Sequence, residues 1–343
     1  MKNKILVTGG TGYIGSHTVV ELIDRGFLVT VADNLSNSKI EVLDGIQAIT
    51  GIRPDFEKID ICDRETLFSI FEKNQGFKAI IHFAAYKSVP ESVQQPLKYY
   101  RNNLVSLINV LEGMEIFQIP NIVFSSSCTV YGQPETLPVT EKTPILPAAS
   151  PYGNTKQIAE EIISDSVLAS SFVKGISLRY FNPIGAHPSA LIGELPLGIP
   201  DNLVPYITQT GIGIRPALRV FGNDYNTTDG TPIRDYLHVV DLARAHVAAI
   251  DRLIGQKQKN DYEVFNLGIG QGVSVLEMIQ SFEKVSGIDL NYEMHDRRPG
   301  DIEKIWADTS LANSELGWYA GYSIDDAVKS AWDWEQFYRK NFP

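Results

Sequence analysis

The chain has 343 residues, enough to bury a large core as one domain with a lobe or as two domains. Hydrophobic residues make up 43%, charged residues 21%, and the net charge is −11. That balance argues against bulk attraction to nucleic acid or an anionic membrane, so a phosphate-bearing ligand needs locally placed arginines. The two cysteines, Cys62 and Cys128, suit neither a metal site nor a disulfide framework, so a reducing cytoplasm is expected. No charged-then-apolar leader opens the sequence and no apolar run approaches membrane-spanning length, so the expectation is a soluble, cytoplasmic protein.

Residues 3–8 read as a buried strand around Ile5, Leu6 and Val7. Gly9, Gly10, Gly12 and Gly15 follow at once and run into a helix over 13–25. Strand, glycine-rich turn and helix together are how a dinucleotide pyrophosphate is held. The glycines admit close backbone, and the helix N-terminus offers free N–H groups and partial positive charge. Strand 27–33 ends on Asp33, about 20 residues on, where a carboxylate meets ribose hydroxyls and favours NAD over NADP. A polar, glycine-bearing connection leads to a short strand over 56–60, a helix over 63–74 and a buried strand over 78–83. Apolar residues at helical spacing mark 92–116, and 121–126 is a strand. Helix 151–169 has Ser150 as cap and Pro151 at its first position. Residues 175–181 give the next strand.

This alternation implies an α/β protein with a Rossmann-type, doubly wound parallel sheet covered on both faces. The rhythm breaks over 182–235, which is rich in Gly, Pro and Asn and reads as a loop-rich lobe. Helix 238–254, strand 263–268, helix 274–286, a short strand over 289–293 and a terminal helix over 323–341 complete the chain.

Tyr152 and Lys156 stand four apart on helix 151–169, so they share a face. A tyrosine has a pKa of about 10; to act as a base near neutrality it must fall to about 7, about 4 kcal/mol. One cation about 4 Å away at an effective dielectric of about 20 supplies that much, and Lys156 is so placed. Ser127 ends strand 121–126, at the sheet edge where catalytic groups gather. Ser125 and Ser126 read as satisfying backbone at the strand end. No His/Cys/Asp cluster suggests a metal, and His82, His187 and His238 read as packing or loop residues.

The glycine pattern and the set Ser127, Tyr152, Lys156 resemble the extended short-chain dehydrogenase/reductases, and more closely the UDP-glucose/UDP-galactose 4-epimerases, from Lys4 to about Trp334. The resemblance implies a cofactor unit over 1–181 that also receives about 236–268, and a smaller C-terminal α/β lobe over 182–343 that binds the UDP-sugar. It implies NAD as cofactor, a UDP-hexose substrate, and a homodimer built through helices 92–116 and 151–169. Catalysis falls to Ser127, Tyr152 and Lys156. Matched cofactor positions are Gly9, Gly12, Tyr13, Ile14, Gly15, Asp33, Asn34, Asp60, Ile61, Phe83, Ala84, Lys87, Asn102, Lys156 and Phe181. Matched substrate positions are Ser127, Tyr152, Asn182, Asn202, Leu203, Arg219, Phe221, Arg234, Arg298, Asp301 and Ile305. Arginine suits the diphosphate because its planar fork binds phosphate bidentately. For any one of these a structural role is an alternative, and Ile305 is equally compatible with packing beside Trp306.

Related nucleotide-sugar dehydratases carry an Asp-Glu pair directly after the catalytic hydroxyl residue; here Cys128 and Thr129 stand there, so elimination lacks an acid. Cys128, where these epimerases usually have alanine, reads as a small filler. The expected reaction is C4 epimerisation of UDP-glucose and UDP-galactose through a 4-keto sugar. UDP-GlcNAc/UDP-GalNAc epimerisation, or another NAD-dependent nucleotide-sugar reaction, is the alternative.

Overall fold

A computed structural model describes residues 2–298 and 302–342. The chain runs β1 (Lys4–Thr8), α1 (Tyr13–Asp24), β2 (Leu28–Asp33), α2 (Val42–Thr50), β3 (Asp55–Lys58), α3 (Arg64–Lys73), β4 (Phe77–His82), α4 (Val89–Gln94), α5 (Pro96–Ile116), β5 (Asn121–Ser125), α6 (Pro151–Ala169) and β6 (Lys174–Tyr180). It continues through β7 (Asn182–Ile184), α7 (Leu203–Gly211), β8 (Leu218–Phe221), β9 (Ile233–Arg234), β10 (Tyr236–His238), α8 (Val239–Ile254) and β11 (Tyr262–Leu267). The remainder is β12 (Val273–Ser274), α9 (Val275–Ser286), β13 (Tyr292–His295), β14 (Lys304–Ile305), α10 (Ser310–Glu315) and α11 (Ile324–Asn341).

Seven parallel strands form the main sheet in the order β11-β6-β5-β4-β1-β2-β3. The order reverses between β1 and β4, which opens a crevice at their carboxyl ends. Both faces are buried because alternate strand residues serve opposite cores. Ile5, Val7, Val31, Ala79, Ile81 and Val123 pack with α1, α2 and α8. Leu6, Ile80, Ile122 and Phe124 pack with α3, α5 and α6. A third core collects Val204, Ile207, Val220, Met278, Phe282, Val328 and Trp332 from the elements beyond β6. No helix among the described residues is long and apolar enough to cross a membrane.

Caps fix several boundaries. Asp63 accepts the N–H groups of Glu65 and Thr66 to start α3, and Ser150 accepts that of Gly153 to start α6. Ser274 and Glu277 close a capping box on α9.

Three features differ from the sequence expectation. The predicted helix 92–116 is two helices, broken at Gln95 and restarted at Pro96, whose ring cannot continue a preceding helix. The connection after β2 contains α2, which includes Gly45 and four β-branched residues, Val42, Ile46, Ile49 and Thr50; a Cβ on Gly45 would meet the Leu191 carbonyl oxygen at 2.7 Å, so α2 forms by docking rather than by propensity. The segment 182–235 holds β7, α7, β8 and β9, two of them very short strands that pair only with distant segments.

Candidate active site

The first loop of the sheet is shaped by what it excludes. Gly9 has φ of +71°, and a Cβ there would lie 2.8 Å from the Ala84 nitrogen. A Cβ on Gly15 would lie 2.3 Å from the Gly9 carbonyl oxygen. Gly12 is the N-cap of α1 and brings no capping side chain, so the first-turn N–H groups face the crevice side with no side-chain partner from the cap. Such a cradle fits a diphosphate laid against backbone. Asp33, 8% exposed, accepts the N–H groups of Thr11 at 3.2 Å and Leu35 at 2.9 Å, which fixes its carboxylate beside the loop. Asn34 turns the chain onward by accepting the Ser36 N–H.

On the other side of the crevice Phe83 and Ala84 leave β4, their N–H groups donating to the carbonyl and hydroxyl oxygens of Thr8. Asp60, Ile61 and Asn102 gather around Cys62: Asp60 accepts its N–H, its thiol donates to the Asn102 carbonyl at 3.4 Å, and Asn109 donates to the Ile61 carbonyl. Ile14 packs on the α1 core, and the Tyr13 hydroxyl reaches past the loop to the Gly185 carbonyl at 2.6 Å.

The Lys87 ammonium lies 3.2 Å from the Glu194 carboxylate, and the Asn202 amide donates to the same oxygen at 2.6 Å. One carboxylate thus joins a predicted cofactor residue to a predicted substrate residue. Glu194 lies in an aperiodic stretch, and nothing in the sequence marks it.

Ser127, Tyr152 and Lys156 converge at the carboxyl edge of β5. The Ser127 hydroxyl accepts the Thr129 N–H at 3.2 Å and hydrogen-bonds the Tyr152 phenol, which favours the phenolate. The Lys156 ammonium donates to the Ser125 carbonyl and sits 4.7 Å above the Phe124 ring and 5.9 Å from the centre of the Tyr152 ring. All three residues are buried.

The titration behaviour departs from the sequence expectation. Burial pushes the Tyr152 phenol up rather than down, with the Tyr180 phenol adding to it. Burial also brings Lys156 down to about 7, partly opposed by the Glu160 carboxylate. Inside this protein desolvation outweighs the single lysine.

Each serine of the run has its own partner, which corrects the reading of Ser125 and Ser126 as backbone satisfiers alone. The Ser125 hydroxyl pairs with the Tyr180 phenol, and the Ser126 hydroxyl donates to Glu160. Tyr180 and Glu160 went unnoticed in the sequence. Glu160 had a signal, since it continues the i, i+4 stripe from Tyr152 and Lys156. Tyr180 simply precedes Phe181 at a strand end.

Downstream, Phe181 is buried with its N–H donating to Leu267, and the Asn182 N–H donates to Asp235. Leu203 opens α7 behind Asn202 as N-cap. Arg219 is exposed on β8, in register with Glu293 of β13. The Arg298 guanidinium stacks 4.0 Å above Phe221. Arg234 pairs in register with Ile305 and donates to the Ile233 carbonyl at 2.8 Å. Asp301 lies outside the described residues. Ile305 is 2% exposed in a cluster with Phe181, Val139 and Ala307, against which Cys128 packs. Burial pushes the Cys128 thiol up to about 12.

The family model for GDP-mannose 4,6 dehydratase matches residues 6–331. A UDP-glucose 4-epimerase of Bacillus subtilis (strain 168) is 51% identical over 331 residues, covering 96% of each chain. The Homo sapiens UDP-glucose 4-epimerase is 48% identical over 342 residues, covering 98% of this chain and 97% of that one. The UDP-glucose 4-epimerase of Bifidobacterium longum, solved in complex with NAD+ and UDP, superposes with a TM-score of 0.95 at 44% identity, covering 99% of this chain and 100% of that one. The dehydratase name of the family model is that of the wider group, and the positions after Ser127 are Cys128 and Thr129 rather than carboxylates. Similarity of this extent to epimerases from bacteria and animals, over the glycine cradle and the catalytic strand end alike, leaves one conclusion: the chain belongs to the UDP-glucose 4-epimerases of the extended short-chain dehydrogenase/reductase family.

Proposed function

We propose that this site interconverts UDP-glucose and UDP-galactose by inverting C4 of the bound sugar, with Tyr152 as the acid–base. The observation that carries the reading is the meeting of Ser127, Tyr152 and Lys156 at one buried strand end beside the glycine cradle. The enzyme is an NAD-dependent UDP-hexose 4-epimerase. NAD, held by the Gly9–Gly15 loop and Asp33, supplies a hydride acceptor that returns what it takes, together with a positive charge near the phenol. Tyr152 Oη removes the 4-hydroxyl proton. Ser127 Oγ holds that hydroxyl and passes its proton to the phenol. Lys156 supports the phenolate electrostatically. Arg219, Arg234 and Arg298, with Asn202 and Phe221, anchor the UDP while the 4-keto sugar turns its other face, and Tyr152 then reprotonates O4. Cys128 and Thr129 supply no acid for water loss, which disfavours dehydration.

In the same reading, residues 1–181 with about 236–268 form the cofactor unit and 182–343 mainly the sugar-nucleotide lobe; the third core, drawn wholly from residues beyond β6, supports this division, while Ile192, Ala312 and Trp318 of the lobe pack into the core of the cofactor unit. A homodimer through α4–α5 and α6 is favoured by outward apolar residues such as Val93, Leu97, Ile108 and Leu168, and a solution mass of one chain excludes it. A cytoplasmic location is consistent with two free cysteines.

The test is incubation of purified protein with UDP-galactose and no added cofactor. UDP-glucose should form, and denaturation should release NAD. Tyr152→Phe should lower turnover at least about a hundredfold while keeping the dinucleotide. Near-normal turnover by Tyr152→Phe rules out this assignment of the base.

A further inference from the structure

Glu160 adjoins both arms of the catalytic arrangement: it bonds Ser126 beside Ser127 and follows Lys156 on the same helical face. It is the third member of the α6 stripe after Tyr152 and Lys156, so it stands one turn behind the lysine. It is 5% exposed. Its Oε1 accepts the Ser126 hydroxyl and Arg179 Nε at 2.9 Å, and its Oε2 accepts both Arg179 Nε and Nη2. Arg179, on β6, is equally buried and also donates to the Tyr131 hydroxyl at 3.0 Å, which in turn donates to Asn266 at 2.6 Å. Ser126 lies between Ser125, whose carbonyl takes the Lys156 ammonium, and Ser127, whose hydroxyl meets the Tyr152 phenol.

We propose that Glu160 is a positioning residue for this reaction. Clamped by Arg179, its carboxylate fixes through Ser126 the strand end that presents Ser127 to Tyr152, and its negative charge stands one helical turn behind the Lys156 ammonium. The inference rests on the roles given above to Tyr152 and Lys156.

A buried ion pair alone is weak evidence of design, because an apolar pair often replaces one at no loss of stability. What distinguishes this pair is the third hydrogen bond to Ser126 and the seat beside a buried lysine. Other titratable groups face this cluster from the elements packed around it. His82, on β4, faces Lys156 and is brought down to about 3 by burial. Tyr262 on β11 faces Glu160, Tyr131 faces Arg179, and Tyr180 on β6, Tyr99 on α5 and Cys128 face Tyr152; burial pushes each of these up. Glu141 faces Arg179 from beyond β5 and favours the guanidinium, not the lysine. Glu160 is therefore the group that opposes the desolvation of Lys156.

The experiment is the pH profile of kcat/KM on UDP-galactose, read with the holoenzyme. In Glu160→Gln one limb should move to lower pH by about one unit or more, with a fall in kcat. Glu160→Asp, which keeps the charge, should return the limb toward wild type. Ser126→Ala should lower kcat several-fold with both limbs in place. The double variant Glu160→Gln/Arg179→Met removes the unpaired guanidinium and should keep the shifted limb, whereas a purely structural pair predicts that it recovers the wild-type profile. Both limbs unmoved in Glu160→Gln or in the double variant overturn the electrostatic half; unaltered kcat in Ser126→Ala overturns the strand-end half. Should Tyr152→Phe turn over normally, the underlying reading fails instead, and that result is separate from either.

Discussion

Replacing Lys156 with methionine should weaken catalysis and strengthen the fold at once. The ammonium lies 5.9 Å from the centre of the Tyr152 ring. At an effective dielectric of about 20 that separation is worth about 3 kcal/mol of support for the phenolate. Such support corresponds to about a hundredfold in the fraction of Tyr152 ready to take a proton. Lys156→Met should therefore lower kcat on UDP-galactose about a hundredfold near neutral pH, while Lys156→Arg should retain more. The stability effect has the opposite sign. Burial brings Lys156 from its ordinary 10.5 to about 7. Between those values the unfolded chain holds a proton that the folded chain has released, so wild-type stability rises with pH across this window, and as pH falls the loss is complete at about 7. Methionine escapes that cost, on the order of 5 kcal/mol at its fullest, less about 1 kcal/mol for the lost bond to the Ser125 carbonyl. The Tm of Lys156→Met should exceed that of wild type near pH 7 and converge with it toward about pH 10. Turnover within a few-fold of wild type refutes the charge argument, and a Tm difference independent of pH refutes the desolvation argument.

Gly15→Ala should abolish retention of NAD and destabilise the first loop by about 1–3 kcal/mol, because its Cβ would lie 2.3 Å from the Gly9 carbonyl oxygen. Assay of dinucleotide released on denaturation, with Tm, checks this; full retention would show that the loop yields. Ile305→Ala should raise relative kcat/KM for UDP-GalNAc over UDP-galactose by about tenfold, since Ile305 backs onto Phe181 and Cys128. Ile305→Tyr should lower it, and an unchanged ratio in both excludes this side chain as the gate.

Much of the site was legible because its geometry is local. The Gly9–Gly15 turn is one continuous strand, loop and helix, and Tyr152 and Lys156 share a helical face by spacing alone. Strands β1, β2, β4, β5 and β6 announced themselves through apolar runs with turn residues between them, whereas β3 reads DFEK and carries one apolar side chain. The elements that escaped are those made by distant pairing. β9 and β14 are two residues each and exist because Ile233 and Arg234 find Lys304 and Ile305 on one side and Val273 and Ser274 on the other. Glu194 gains meaning only when folding brings Lys87 and Asn202 to the same carboxylate. The serine run shows the same limit, since three identical side chains in a row acquire two tyrosines and a glutamate as separate partners from α6 and β6.

The phenol is the clearest case of what spacing does not carry. Counting charges along α6 gives Tyr152 a cation and a lowered pKa. The fold withdraws both groups from water, so the phenol rises and the lysine itself falls to about 7. Each fact alone would disarm the site. Together they explain why a second source of charge is needed: the carboxylate behind the lysine sustains one partner, and NAD+, once held by the Gly9–Gly15 loop and Asp33, would supply positive charge to lower the other. The base is then strong only while an oxidised cofactor and a protonated lysine are both present. An enzyme that must take a proton and a hydride in the same turnover, and give both back, gains from a base that weakens once the hydride has moved, because the phenol is then protonated and ready to return what it took.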